Sequence, residues 1–247
     1  MTYSNLADLF ETYFRIVPAD EGHMLEKVYR LRHQVYCEEL GFEANRSNQL
    51  EQDEADKNSI HCLLMHKPTQ TYVGCVRLIL AGSDTPEVSF PFEKVCGSSL
   101  RWVFDKSKGT SRKRYGEISR LAITSNFRRS RHDADAIHER IGKMDMTDDC
   151  TRLLFPSMAL GLYMAVTAIG LSRGLDGVFA MMEPRLARQL HGFGIYFQQV
   201  GDAVDHRGIR APYYISRNSL LDNLKQECQN LLDNIQDRLT MPQVQWS

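Results

Sequence analysis

Four charged residues stand inside stretches that otherwise read as core. Arg32 lies on the apolar-faced segment 20–38, Arg77 within VGCVRLIL, and Glu117 and Arg120 within EISRLAIT. Asp53 and Asp56 precede the first apolar run, in an acidic loop. Charges in core-like segments are rarely buried unless paired. Two readings fit. One is a salt-bridge network that only braces the fold. The other is a polar cleft for a zwitterionic or carboxylate-bearing small molecule, with arginine forks gripping a carboxylate bidentately. A second pair, His33 and Cys37, has the i,i+4 spacing at which an imidazole can activate a thiol. A small buried cysteine satisfies the same spacing. GxSxG, GxGxxG, P-loop and HExxH motifs are absent. The eight histidines are scattered, so no metal centre is expected.

Periodicity indicates which elements carry these residues. A short amphipathic helix is expected at 5–14. Met24, Leu25, Val28, Leu31 and Val35 recur at helical spacing and predict a helix over 20–38. Residues 41–58 read as a loop. IHCLLMH (60–66) and TYVGCVRLIL (71–80), joined by KPTQ, predict a hairpin. A short helix at 91–96, strands at 117–124, 176–183, 195–200 and 211–216, and a helix at 184–194 follow. Residues 153–172 carry no charge and are long enough to span a bilayer. Their Pro, Ser, Gly, Tyr and Thr content favours a buried helix starting near Pro156. Residues 217–239 place Leu220, Leu224, Cys228, Leu231, Ile235 and Leu239 on one stripe, a packed amphipathic helix. Early strands pair antiparallel and later ones alternate with helices, so the fold class is α+β (mixed α/β). The expected division is a domain over 1–216, with a mobile loop at 130–150, and a C-terminal helix and tail over 217–247 packed on it.

The chain has 247 residues, with 43% hydrophobic and 25% charged residues, ordinary values for a globular protein. The net charge of -1 argues against a nucleic-acid binder. That sum hides an uneven distribution. Residues 101–131 carry ten basic and two acidic groups, whereas residues 1–60 carry six basic and twelve acidic groups. Such asymmetry suggests a charged partner, or a solvated basic loop. The six cysteines form no CxxC pair, and the N-terminus has no signal-like pattern. Reduced thiols in a cytoplasmic protein are expected.

Beside this reading stands a resemblance. RHQVYCEELGFE (32–43), the D-x-x-D of Asp53 and Asp56, VGCVRLI (73–79) and EISRLAIT (117–124) together resemble the acyl-homoserine-lactone synthases and N-acyl amino acid synthases. These belong to the GCN5-related N-acetyltransferase superfamily. The matched positions are Arg32, Tyr36, Phe42, Asp53, Asp56, Arg77, Glu117 and Arg120, with Phe42 where the lactone synthases carry Trp. SRLAIT-x-x-FRRSR (119–131), MEPRLARQLHGFGIYFQQVGD (182–202) and DHRGIRAPYY (205–214) resemble the acyltransferase group associated with PEP-CTERM/exosortase systems more closely still. The match runs over about residues 25–216.

The resemblance implies a GCN5-related N-acetyltransferase-like central sheet flanked by helices, with an added C-terminal helix. It implies no permanently bound cofactor, an acyl-phosphopantetheine co-substrate on acyl carrier protein (with coenzyme A as the alternative) and a small-molecule amine acceptor. Residues Leu121, Ala122 and Ile123 would pair with the pantetheine arm and stabilise an oxyanion. FRRSRHDAD has no glycine for a phosphate nest. Arg128, Arg129 and Arg131 would instead meet the donor phosphate and an acidic carrier protein. An amine needs a base at neutral pH, and Glu117 is the candidate. Arg32, Asp56, Arg77 and Arg120 would orient it and grip the acceptor, and Asp53, Tyr36 and Phe42 would line that site. Tyr163 is either an acid for the leaving thiolate or a core residue, and helix 156–172 either a wall of the acyl tunnel or plain core. The expected function is N-acylation of an amino acid. The alternatives are a lactone synthase using S-adenosylmethionine, and a non-catalytic module that binds carrier protein or a membrane surface peripherally. No transmembrane span is expected.

Overall fold

Runs of apolar residues broken by polar loops resolve into an eight-stranded mixed sheet with helices on both faces. The computed structural model describes residues 6–81, 89–101, 111–128 and 148–240. In chain order the elements begin with α1 (Leu6–Tyr13), β1 (Phe14–Pro18) and α2 (Gly22–His33), and a π-helical turn, Gln34–Glu39, continues α2. A 3-10 turn, Glu54–Asn58, leads into β2 (Ser59–His66) and β3 (Thr71–Leu80). Next come α3 (Pro91–Cys96), β4 (Tyr115–Ile123) and the single turn α4 (Ser125–Arg128). The rest is α5 (Asp148–Ser172), β5 (Gly177–Met182), α6 (Pro184–His191), β6 (Gln198–Gln199), β7 (Val204–Asp205), β8 (Ile209–Ser216), α7 (Arg217–Asn223) and α8 (Gln226–Thr240).

The strands lie in the order β1-β2-β3-β4-β5-β8-β6, with β7 paired to β8. All pairings are antiparallel except β4 with β5. The central strand β3 is buried on both faces, which explains its nearly unbroken apolar run. On one face, Met24, Val28 and Leu31 of α2 pack on Leu63, Cys75 and Ala122. On the other, Met158, Leu162 and Val166 of α5 join Leu64, Val76, Leu78 and Ile118 in the main core. Among the described residues no helix is long and apolar enough to cross a membrane. The uncharged stretch packs against α1, α8 and the sheet.

Several expectations are corrected. The helix expected over 20–38 is α-helical only to His33. The helix expected over 5–14 ends at Tyr13, and FRIVP (14–18) is an edge strand paired antiparallel to β2. Helix α5 begins at Asp148, so Pro156 stands inside it and not in its first turn. Of the strand expected at 195–200 only Gln198–Gln199 pairs. The single helix expected over 217–239 breaks at Leu224 into α7 and α8. Its apolar stripe nonetheless packs as expected, with Leu220, Leu224, Cys228, Leu231 and Ile235 in the main core. Most of the loop expected at 130–150 lies outside the described residues.

Two irregularities of β4 create the space for a site. Cys75 pairs with Ala122 and Arg77 with Ser119, so one β3 residue faces two on β4, Arg120 and Leu121. This is a β-bulge, and Arg120 sits in it at φ +51°. The extra residue brings the Arg120 side chain to the α2 side of the sheet, where strict alternation would send it into the core under α5. In addition, β4 pairs with β5 only from Tyr115 to Ile118. Beyond that point the two strands have no ladder between them.

Candidate active site

The site is assembled from strands β2, β3 and β4, helix α2, the 3-10 turn with the loop before it, and the β7–β8 turn. His61, Arg77 and Ser119 are cross-strand neighbours on β2, β3 and β4, so they form one row on the α2 face. Arg77 donates from Nε to Ser119 Oγ at 2.9 Å and from Nη1 to Asp53 Oδ1 at 2.6 Å and Asp56 Oδ1 at 2.7 Å. The D-x-x-D spacing has a local cause. Asp53 caps the 3-10 turn, accepting from the Ala55 N–H at 3.0 Å, while its own N–H donates to Asp56 Oδ2 at 2.7 Å. This reciprocal capping aims both carboxylates at one guanidinium.

Arg32 comes from the buried face of α2 and is itself fully buried. It donates to Glu51 at 2.5 Å and Asp56 at 2.7 Å, with its guanidinium 5.4 Å from the centre of the Tyr29 ring. Arg120 reaches Glu43 and Glu51 at 3.1 Å and Asp53 at 3.2 Å. Arg207, on the β7–β8 turn, also donates to Glu43. Arg32, Arg77, Arg120 and Arg207 thus face Glu43, Glu51, Asp53 and Asp56, four charges of each sign. Burial opposes ionisation of Asp56, but Arg32 and Arg77 outweigh it and hold its carboxyl down at about 2. Burial lowers His61 to about 4, so its imidazole is neutral at pH 7. The cluster is a nearly neutral brace, with one buried terminal nitrogen of Arg32 left without a partner among the described residues.

Glu117 is excluded from that exchange. It is 3% exposed, and one carboxylate oxygen accepts from the Phe92 N–H at 3.1 Å. Burial raises its pKa to about 8, against the opposing pull of the Phe92 N–H and of Arg77 and Arg120. A carboxyl with a pKa near the working pH has the acidity a general acid–base group needs.

Two cavities meet over β4. The first, of about 420 Å³, is lined by Glu117, Asp53, Arg77, Phe90, Phe92 and Arg210 among others. The second, of about 560 Å³, lies where β4 and β5 separate and is lined by Leu121, Ala122, Ile123, Met182 and Tyr163. Both volumes lie in the usual range for small-molecule sites. Tyr36, Ile118, Ser119, Arg120, Met181 and Arg210 border both cavities. Tyr36 donates to the Leu121 carbonyl at 2.9 Å and stacks under Arg120, and burial pushes its hydroxyl up to about 12. Phe42 faces the second cavity beneath the Arg210 guanidinium. Tyr163 is buried in the main core and also lines the second cavity, and burial raises its pKa. Arg128 borders the second cavity and binds Glu39 at 2.5 Å. Arg129 and Arg131 lie outside the described residues.

The structure thus brings Arg32, Asp53, Asp56, Arg77 and Arg120 into one network, with Glu117 in the first cavity beside it. It does not join His33 to Cys37. The π-turn alters the spacing, and His33 instead accepts from the Arg46 N–H at 3.2 Å and faces Glu38. Burial raises the Cys37 thiol, the reverse of what a nucleophile requires. Among the described residues no group of three His, Cys, Asp or Glu is placed to hold a metal ion. Sequence reasoning missed Glu43, Glu51, Ser119, Arg207 and Arg210 as site residues. Glu51 is fully buried, yet in sequence it is one acid in an acidic loop with no period to distinguish it.

Residues 31–136 match the family described as Acetyltransferase (GNAT) domain. No curated protein matches the chain in sequence. Among solved structures, TofI in a ternary complex with an inhibitor and MTA is similar at 15% identity and a TM-score of 0.59, covering 90% of this chain and 96% of that one. BjaI, a CoA-dependent acyl-homoserine lactone synthase with MTA bound, is similar at 19% identity and a TM-score of 0.56, covering 94% and 91%. FeeM, an N-acyl amino acid synthase from uncultured soil microbes, is similar at 11% identity and a TM-score of 0.52, covering 85% and 94%. The chain thus matches the GNAT acetyltransferase family model over residues 31–136 and shares its fold with these solved structures.

Proposed function

We propose that the chain transfers a long acyl group from the phosphopantetheine thioester of an acyl carrier protein to the α-amine of an amino acid. The observation that carries this reading is the placement of Glu117, a buried carboxyl poised near neutral pH, in a cavity that adjoins a second one along the open side of β4. The acceptor occupies the first cavity and the acyl-pantetheine the second. The amine gives a proton to Glu117, directly or through one water, and its nitrogen attacks the thioester carbonyl carbon. The tetrahedral intermediate collapses and the C–S bond breaks; the thiolate takes a proton from a neighbouring acid, which is restored by the second proton lost from the nitrogen. The Tyr163 hydroxyl borders the same cavity and is protonated at neutral pH, which suits it to supply that proton. The arginine–carboxylate brace holds β2, β3, β4 and the 3-10 turn in register, so that the base keeps its place.

A carrier-protein donor is favoured by the basic excess over 101–131 and by the absence of glycine from FRRSRHDAD. The likeness to BjaI favours coenzyme A as a second donor reading, and the likeness to lactone synthases favours S-adenosylmethionine as a second acceptor reading. Mass spectrometry of lipid extracts from a host expressing the chain separates these. N-acyl amino acids in the wild-type extract that are absent with Glu117→Gln support the proposal. An acyl-homoserine lactone identifies the other acceptor, and no new lipid refutes both enzymatic readings.

A further inference from the structure

Among the described residues that border both cavities, Arg210 is a cation with no carboxylate partner. Arg77, Arg120 and Arg207 line the first cavity, but each is bonded to carboxylates of the chain itself. They brace the site and have little left for a ligand. Lys94 stands exposed at its rim. Arg210 differs. It projects from β8, where it pairs with Val204, and borders both cavities. Its guanidinium lies 5.9 Å from the centre of the Phe42 ring, and no described carboxylate pairs with it. Its Nε is buried and has no hydrogen-bond partner among the described residues. A guanidinium held by an aromatic face, desolvated on one side and unpaired, is ready to receive an anion.

Position identifies the anion. The amine must reach the thioester where the two cavities join. In an α-amino acid the carboxylate shares a carbon with that amine, so it must lie near the same junction. Resting on the acceptor reading above, we infer that Arg210 is the anchor for the acceptor's carboxylate. It would thereby be the residue that selects amino acids over simple amines. This moves the gripping role from Arg32, Arg77 and Arg120 to a residue on the β7–β8 hairpin.

The test compares the full chain with Arg210→Ala and Arg210→Lys. Each is given a dodecanoyl donor, the panel of amino acids, and the matched amines that lack the carboxylate. The readout is N-acyl product by mass spectrometry. Losing a charge-assisted bidentate contact should lower the amino-acid/amine ratio of kcat/KM on the order of 10- to 100-fold in Arg210→Ala, with part of the ratio restored by Lys. An active wild type whose ratio is unmoved by Arg210→Ala overturns the anchor and leaves the proposed reaction standing. A wild type that acylates amines but no amino acid overturns both. If no amine is turned over, the proposed reaction fails and the anchor is judged on binding. N-dodecanoyl-glycine should then bind wild type at least tenfold more tightly than its neutral methylamide, with the difference abolished in Arg210→Ala. Equal affinities overturn it.

Discussion

Replacing Glu117 by Gln tests the centre of the argument. The two side chains have nearly the same shape, and the amide oxygen of Gln can still accept from the Phe92 N–H. The base alone is removed. With the carboxyl at about 8, about a tenth of the molecules carry the carboxylate at pH 7 and about nine-tenths at pH 9. Wild-type turnover at saturating donor should therefore rise about tenfold between pH 7 and 9. Glu117→Gln should lose about 10²- to 10⁴-fold and, with the same acceptor, lack this ionisation. Stability should move the opposite way. The folded value lies above the ordinary carboxyl value of 4.5. The protonated form is therefore the one favoured by folding, and its contribution is complete below pH 4.5 and lost as the pH rises towards 8. The loss is at most about 5 kcal/mol. Denaturant midpoints of Glu117→Gln should accordingly lack the part of the decline that wild type owes to this group. Thiol release and product mass spectrometry from pH 6 to 9, with urea melts over the same range, measure both curves. A flat wild-type rate profile, or a Glu117→Gln variant within threefold of wild type, refutes the assignment of the base.

Two further outcomes are expected. Arg77→Met leaves Asp53 and Asp56 facing one guanidinium fewer in a desolvated site, and should cost about 3–5 kcal/mol. That corresponds to a fall in Tm of about 6–20 °C, and a shift below 2 °C in a thermal melt contradicts the bracing role. Arg128→Glu combined with Arg129→Glu should raise the KM for acyl carrier protein about tenfold at 50 mM salt, with the difference shrinking at 0.5 M as salt screens the long-range attraction. Equal sensitivity towards acyl-coenzyme A, or none towards either donor, removes the docking role.

Much of the architecture was legible in the residues. The hairpin of β2 and β3 follows from two apolar runs and a short turn, and α3 and the start of α6 from their leading prolines. The capping spacing of Asp53 and Asp56 could be read locally as well, because reciprocal capping spans only three residues. So could the oddity of Arg32, Arg77, Glu117 and Arg120, since a charge in an apolar run stands out wherever the chain later goes. Strand β1 was not legible, since its Phe-Arg-Ile alternation is too short to separate it from the helix before it, and only the neighbouring β2 makes it a strand.

What each charge does was a tertiary matter. Arg77 and Glu117 look alike in sequence, as single charges in buried strands. Three-dimensional proximity gives Arg77 two carboxylates, whereas Glu117 gets an apolar wall and one N–H, and so one becomes a brace and the other a neutral acid. The bulge that turns Arg120 into the cluster depends on the register between β3 and β4, which no local pattern encodes. Arg210 shows the same division from the other side. Its sequence neighbourhood, HRGIRAPYY, marks it only as one more basic residue. Pair energies depend on distance and desolvation, and both are set by elements far apart in the chain. The sequence therefore determined which residues carry charge in the core, and the fold alone decided which of those charges are neutralised and which stay available for chemistry.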